Sequence, residues 1–271
     1  MQNITIRAIE KLDFRVSEAY KTLRTNLEFS GMNVRTISLT SCMENEGKTS
    51  ISFQLAVSLA EAGRKTILVD ADLRKSVLHG RYKATRDKYG LSHYLSGQVG
   101  LDEVICATNI PEFYIIFAGQ IPPNPSELLS DDKFKLMIKA LREKYDYVII
   151  DTPPLGSVID SAIVSRECDG VILVIETKAV SYKFARSVKE QLDKAGCKIL
   201  GCVLNKVELK GDAYYSKYYG SRKTDGKHLK KSVKKEKEEN AEKEMSAKEG
   251  REKEEHEEKD LNSGAIRQEV K

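Results

Sequence analysis

The chain has 271 residues, 40% of them hydrophobic, enough for one sizeable α/β core with an extension. Lys and Arg number 45 against 41 Asp and Glu, so the net charge of +4 is a small excess within a mixture of signs and does not point to nucleic acid as the main ligand. No run approaches the ~18 apolar residues of a membrane-spanning helix, residues 1–15 lack the apolar centre of a secretion signal, and the five cysteines (Cys42, Cys106, Cys168, Cys197, Cys202) are odd in number and never spaced as CxxC. These features lead us to expect a soluble, cytosolic protein whose reduced thiols fill apolar space, with neither a disulfide framework nor a zinc site.

Residues 17–30 (SEAYKTLRTNLEFS) place Tyr20, Leu23 and Leu27 on one stripe behind Ser17 as N-cap, which predicts a helix ahead of the first strand. Residues 34–40 (VRTISLT) begin a series of short apolar runs rich in β-branched residues. The others are 66–69 (TILV), 114–117 (YIIF), 147–150 (YVII), 171–175 (VILVI) and 199–204 (ILGCVL). Such runs read as strands buried on both faces. Helical spacing appears over 49–62, 133–144 and 183–195, with Gly63 and Gly196 as C-terminal caps for the first and last. Strands alternating with helices predict an α/β fold, a doubly wound and mainly parallel sheet with helices on both faces, whose ligands sit at the carboxyl ends of the strands. From residue 222 to 271 Lys and Glu dominate without an aromatic residue, so a disordered or single-helix solvated tail is expected.

Chemistry begins at residues 41–50, SCMENEGKTS, where a predicted strand runs through a loop into a predicted helix. That is the context of a phosphate-binding loop of P-loop NTPase type, to which Glu46, Gly47 and Ser50 also belong. Backbone N–H groups and the helix N-terminus gather around phosphates, Lys48 neutralises β/γ oxygens, and the Thr49 hydroxyl ligates Mg²⁺. Cys42 stands where the general pattern has its first glycine and Asn45 where glycine is frequent, although Asn tolerates a left-handed backbone. Asp151 ends the run YVII and opens DTPP, the place of a P-loop metal carboxylate; a strand-ending cap is the plainer alternative. Asp70 and Asp72, in ILVDADLR, are two acids one residue apart at a neighbouring strand end and are expected to face the same side. One would serve the metal while the other accepts a hydroxyl proton.

GKTS, ILVDADLRK and VIIDTPP together resemble the bacterial tyrosine kinases of the CpsD/CapB family, the kinases of capsule and exopolysaccharide synthesis. The resemblance extends through GQIPPNPSELL (119–129) and GCVLN (201–205), and covers residues 17 to about 220. It implies an ATP- and Mg²⁺-dependent kinase whose site takes Lys48 and Thr49 from the first motif, Asp70 and Asp72 from the second and Asp151 from the third, with Asn205 near the adenine. Asp70 would be the base and Asp72 a metal partner, an order that the sequence itself leaves open. Tyr214, Tyr215, Tyr218 and Tyr219, in AYYSKYYGS, resemble the family's C-terminal phosphoacceptor cluster.

The resemblance further implies self-assembly into a ring through an EX₂RX₂R helix, here Glu18, Lys21 and Arg24. Lysine at the second place keeps the charge but loses the planar fork. A membrane adaptor of the polysaccharide co-polymerase type would hold the kinase at the inner face of the plasma membrane. The corresponding organisation is an N-terminal arm and helix over 1–33, a kinase domain over 34–209, a tyrosine cluster over 210–221 and the tail. Residues 230–237 could touch an anionic membrane, but the glutamates that follow favour a plain solvated tail. Two other readings are open: a MinD/ParA-type ATPase switch, which carries a lysine early in the loop where this chain has Met43, and a nucleotide-responsive scaffold without catalysis.

Overall fold

All six apolar runs form strands, and the pairing between them is set by a sheet whose centre is buried on both faces. The structure, a computed structural model, describes residues 1–8, 11–84 and 88–207. Its strands are β1 (Gln2–Asn3), β2 (Thr36–Ser41), β3 (Thr66–Asp70), β4 (Cys106–Ala107), β5 (Phe113–Ile116), β6 (Tyr147–Asp151), β7 (Gly170–Glu176) and β8 (Ile199–Asn205). They lie in the order β1-β4-β5-β3-β6-β2-β7-β8, parallel at every pairing except β4 with β5. Every residue of β2 and β3 is buried, so both faces of these strands are covered, and the small polar side chains Thr36, Ser38 and Thr40 of β2 lie inside with the apolar ones.

Parallel neighbours need crossover connections, and helices supply them. They are α1 (Phe14–Phe29), α2 (Lys48–Glu61), α3 (Leu78–Arg81), α4 (Leu91–Leu95), α5 (Leu101–Val104), α6 (Pro125–Ser130), α7 (Asp132–Lys144), α8 (Asp160–Arg166) and α9 (Tyr182–Lys194). Side chains alternate across the strands. Ile37, Leu39, Leu68 and Ile149 face a cluster with Phe53, Leu55 and Leu59 of α2, whereas Ile67, Val69, Val148 and Ile150 face Phe134, Met137 and Leu141 of α7. The stripe read in α1 docks as expected, with Leu27 buried and Tyr20 and Leu23 packed against the α2 layer. Gly63 and Gly196 follow α2 and α9 at φ +77° and +74°, the left-handed conformation of a glycine cap.

Two expectations need correction. The N-cap of α1 is Asp13, not Ser17: the Asp13 carboxylate accepts the Val16 amide at 2.8 Å, and the Ser17 amide is already bonded to the Asp13 carbonyl. The extra turn contributes Phe14 and Val16 to the surface, so apolar periodicity gave no sign of it. Nor do all the thiols fill apolar space, because Cys202 lies exposed on β8, the sheet edge. Among the described residues no helix is long and apolar enough to cross a membrane. Tyr214, Tyr215, Tyr218, Tyr219 and the 222–271 tail lie outside the described residues.

Candidate active site at the phosphate loop

The loop between β2 and α2 crosses the carboxyl end of the sheet in two left-handed steps, Asn45 at φ 65° and Gly47 at φ 87°. Its outer side is fastened to neighbouring strand ends. Glu46 is buried, and its carboxylate accepts the Met43 amide at 2.6 Å and the Glu176 amide at 3.0 Å, so it staples the loop to β7. Asn205, at the end of β8, donates its amide to the Glu46 carbonyl at 2.8 Å. A Cβ on Gly47 would lie 2.1 Å from that Asn205 amide nitrogen, so close approach as well as φ requires glycine there. Cys42 turns inward to a core cluster with Leu155 and Leu173, which is how a side chain is accommodated at the usual first-glycine position. Burial, and next the Glu46 carboxylate, push its thiol up to about 12.

Beneath the loop the three motifs converge. Register pairs Asp70 of β3 with Asp151 of β6 directly across the ladder. Lys48, the first residue of α2, places Nζ 2.6 Å from Asp151 Oδ1, and Ser52, one turn on, donates to the same oxygen at 2.9 Å. Lys48 Nζ also lies 3.4 Å from the Thr49 hydroxyl. Asp70 is 1% exposed. Its carboxylate accepts the Ser76 hydroxyl and, at 3.2 Å, the Asp72 amide. Burial first, then the neighbouring Asp151 charge, push the Asp70 carboxyl up to about 7 against the lowering influence of Ser76 and Lys48.

A cavity of about 470 Å³ opens above this cluster, within the size range of small-molecule sites. Glu46, Gly47, Lys48, Thr49, Ser50, Asp72 and Asn205 all line it. Asp70 and Asp151, both 1% exposed, do not line it. The expectation that Asp70 and Asp72 face the same side is therefore corrected: β3 ends at Asp70 and the chain turns over 73–75, so strand alternation does not extend to Asp72. Asp72 instead accepts the amides of Arg74 and Lys75 at 3.3 and 2.9 Å.

The sequence reading missed a second network. Asp160, wholly buried at the start of α8, receives Arg74 at 2.7 and 3.1 Å and the Ser126 hydroxyl at 2.6 Å. This ties the segment after β3 to the PPNPSELL segment through α6, and only Arg74 and Ser126 had a signal, as members of quoted motifs. On α1, Glu18 and Lys21 pair with each other at 2.7 Å, while Arg24 reaches across to the Ser58 carbonyl of α2, also at 2.7 Å.

Residues 34–199 match the family model described as an AAA domain. The tyrosine-protein kinase CpsD of Streptococcus agalactiae is 43% identical over 222 residues, 79% of this chain and 96% of that one. The chain belongs to the CpsD family of tyrosine-protein kinases. A further member, the tyrosine-protein kinase YwqD of Bacillus subtilis, is 35% identical over 208 residues, 76% of this chain and 87% of the relative. This CpsD-family chain also superimposes on the kinase domain of the Escherichia coli tyrosine kinase ETK with a TM-score of 0.70 at 30% identity, covering 82% of this chain and 93% of that domain. The septum site-determining protein MinD of Pyrococcus horikoshii, solved with Mg-ADP, has a TM-score of 0.54 at 30% identity and covers 63% of the chain and 69% of its own.

Proposed function

We infer that this tyrosine-protein kinase binds ATP with Mg²⁺ at the phosphate loop, phosphorylates Tyr214, Tyr215, Tyr218 and Tyr219 of its own kind, and so regulates capsular or exopolysaccharide synthesis. The observation that carries this reading is the meeting of Lys48, Asp70 and Asp151 from three chain segments under a cavity walled by the loop.

The residues present suit the ligands. Among the described residues there is no cluster of three or more His, Cys, Asp or Glu able to cage a metal. Mg²⁺ does not ask for one, since it is commonly held by one or two carboxylates together with phosphate oxygens. Thr49, Asp72 and Asp151 would hold the ion; Lys48, Ser50 and the amides of residues 46–49 would hold phosphates, and Asn205 would border the base. When bound, Mg²⁺-ATP supplies the phosphoryl group and neutralises the charge that builds on it. The chain's own work is positioning and proton transfer. A tyrosine hydroxyl with pKa near ~10 needs an acceptor, and we assign that role to Asp70, whose carboxyl near neutrality suits a proton carrier. Asp72, in the cavity wall, suits the metal.

We further propose that subunits associate through α1, where Glu18 and Lys21 are exposed, and that a membrane adaptor recruits the kinase to the inner face of the membrane. Met43 leaves the early loop position without the cation of a MinD-type switch, which favours phosphotransfer over an ATPase cycle.

Purified protein incubated with ATP and Mg²⁺ should become phosphotyrosine-positive on a blot. Free phosphate without label would indicate an ATPase, and neither product a scaffold. Phe at all four tyrosines should remove most of the label; undiminished labelling would reject the acceptor assignment.

A further inference from the structure

Five cations line the cavity: Lys48, Arg74, Lys75, Arg81 and Lys206. Four are neutralised in place. Lys48 is paired with Asp151 at 2.6 Å, Arg74 with Asp160 at 2.7 Å, Lys75 with Glu44 at 2.6 Å and Lys206 with Glu176 at 2.8 Å. Among the described residues Arg81 has no carboxylate partner, and its guanidinium bonds only to the Ser50 hydroxyl.

The location adds a mild bias, since Arg81 is exposed. Ser50 is the third residue of a 14-residue helix that has no acid in its first turn, so Arg81, bonded to Ser50, rests at the positive end of the α2 dipole. A cation is disfavoured there and an anion favoured. Nor is the placement loose. Leu78 is fully buried, and Tyr82, next to Arg81, stacks on Phe53 of α2 with ring centroids 3.5 Å apart and planes 14° from parallel. Packing on both sides of Arg81 thus fixes α3 against α2.

We propose that Arg81 is a phosphate-contacting residue of the nucleotide site, gripping an α- or β-phosphate oxygen shared by ADP and ATP. The proposal rests on the nucleotide reading above. Loop amides and the helix N-terminus cradle the α/β-phosphates, whereas the loop lysine reaches toward β/γ. Arg81, anchored on Ser50 beyond the loop, belongs with the former. Its planar fork offers two parallel donors, which a lysine lacks.

Calorimetric titration of the full chain with ADP and with ATP, each with Mg²⁺, tests this. Arg81→Met should weaken both nucleotides about tenfold, and Arg81→Lys should recover part of the loss. The melting temperature of the nucleotide-free Arg81→Met protein should not fall, because an uncompensated cation has been removed, while its rise on adding ADP should shrink. Affinities within about twofold of wild type, or a loss matched by a lower nucleotide-free melting temperature, would overturn the proposal. A loss confined to ATP would overturn the α/β assignment. If the wild-type chain binds neither nucleotide, the nucleotide reading itself fails and takes this one with it.

Discussion

Asp70 shows how a single buried carboxyl couples chemistry to stability. Its ordinary value of 3.8 is raised to about 7 in the fold, so between those limits the folded chain keeps a proton that the unfolded chain has released. Stability from this group is therefore complete below pH ~4 and lost as pH rises through ~7, a change of up to about 4 kcal/mol. Urea titrations of nucleotide-free protein at pH 5 and pH 8 should show the wild type losing stability at the higher pH and Asp70→Asn losing much less; equal losses would refute the assignment. The residues with fixed spacing from strand ends, Lys48, Thr49, Asp70, Asp72 and Asp151, were legible in the sequence because each motif carries its own local geometry. Ser52, Ser76, Asp160 and Arg81 were harder. Ser52 sits one helical turn from Lys48 and could have been found by that spacing, but Asp160 meets Arg74 across 86 positions, and no local pattern announces such a contact.

The helices tell the same story by length. Those of thirteen residues or more, α1, α2, α7 and α9, have enough turns to display a periodic apolar face. The others have seven residues or fewer and show no repeat. Where α1 begins was misread because capping is a hydrogen-bond property and not a pattern of hydrophobicity. Asp13→Ala should cost about 1 kcal/mol by denaturation, and Ser17→Ala close to nothing. A closer constraint acts between the loop after β6 and the phosphate loop: a Cβ at Gly156 would lie 2.1 Å from the Cys42 carbonyl and 2.8 Å from the Phe184 ring. Gly156→Ala should lower stability by about 1–3 kcal/mol and weaken nucleotide binding with it. An unchanged melting temperature would mean that the two loops are not in contact.

At the scale of the molecule, the alternation of apolar runs and helical segments was sufficient for the fold class, because a parallel strand buried on both faces has a composition that exposed chain does not share. Strand order was not legible, nor were β1 and β4, each two residues long and paired with each other from widely separated positions. That order is what assembles the site. With β2 between β6 and β7, and β3 beside β6, the DTPP turn and the acidic turn emerge next to the phosphate loop. The pairing of Lys48 with Asp151 then sets the charge balance of the buried site. The carboxylate is an internal counter-ion that offsets the cost of burying the ammonium. On the nucleotide reading proposed above, a phosphate that claimed Lys48 would compete with Asp151 for it, so binding would be an exchange of partners.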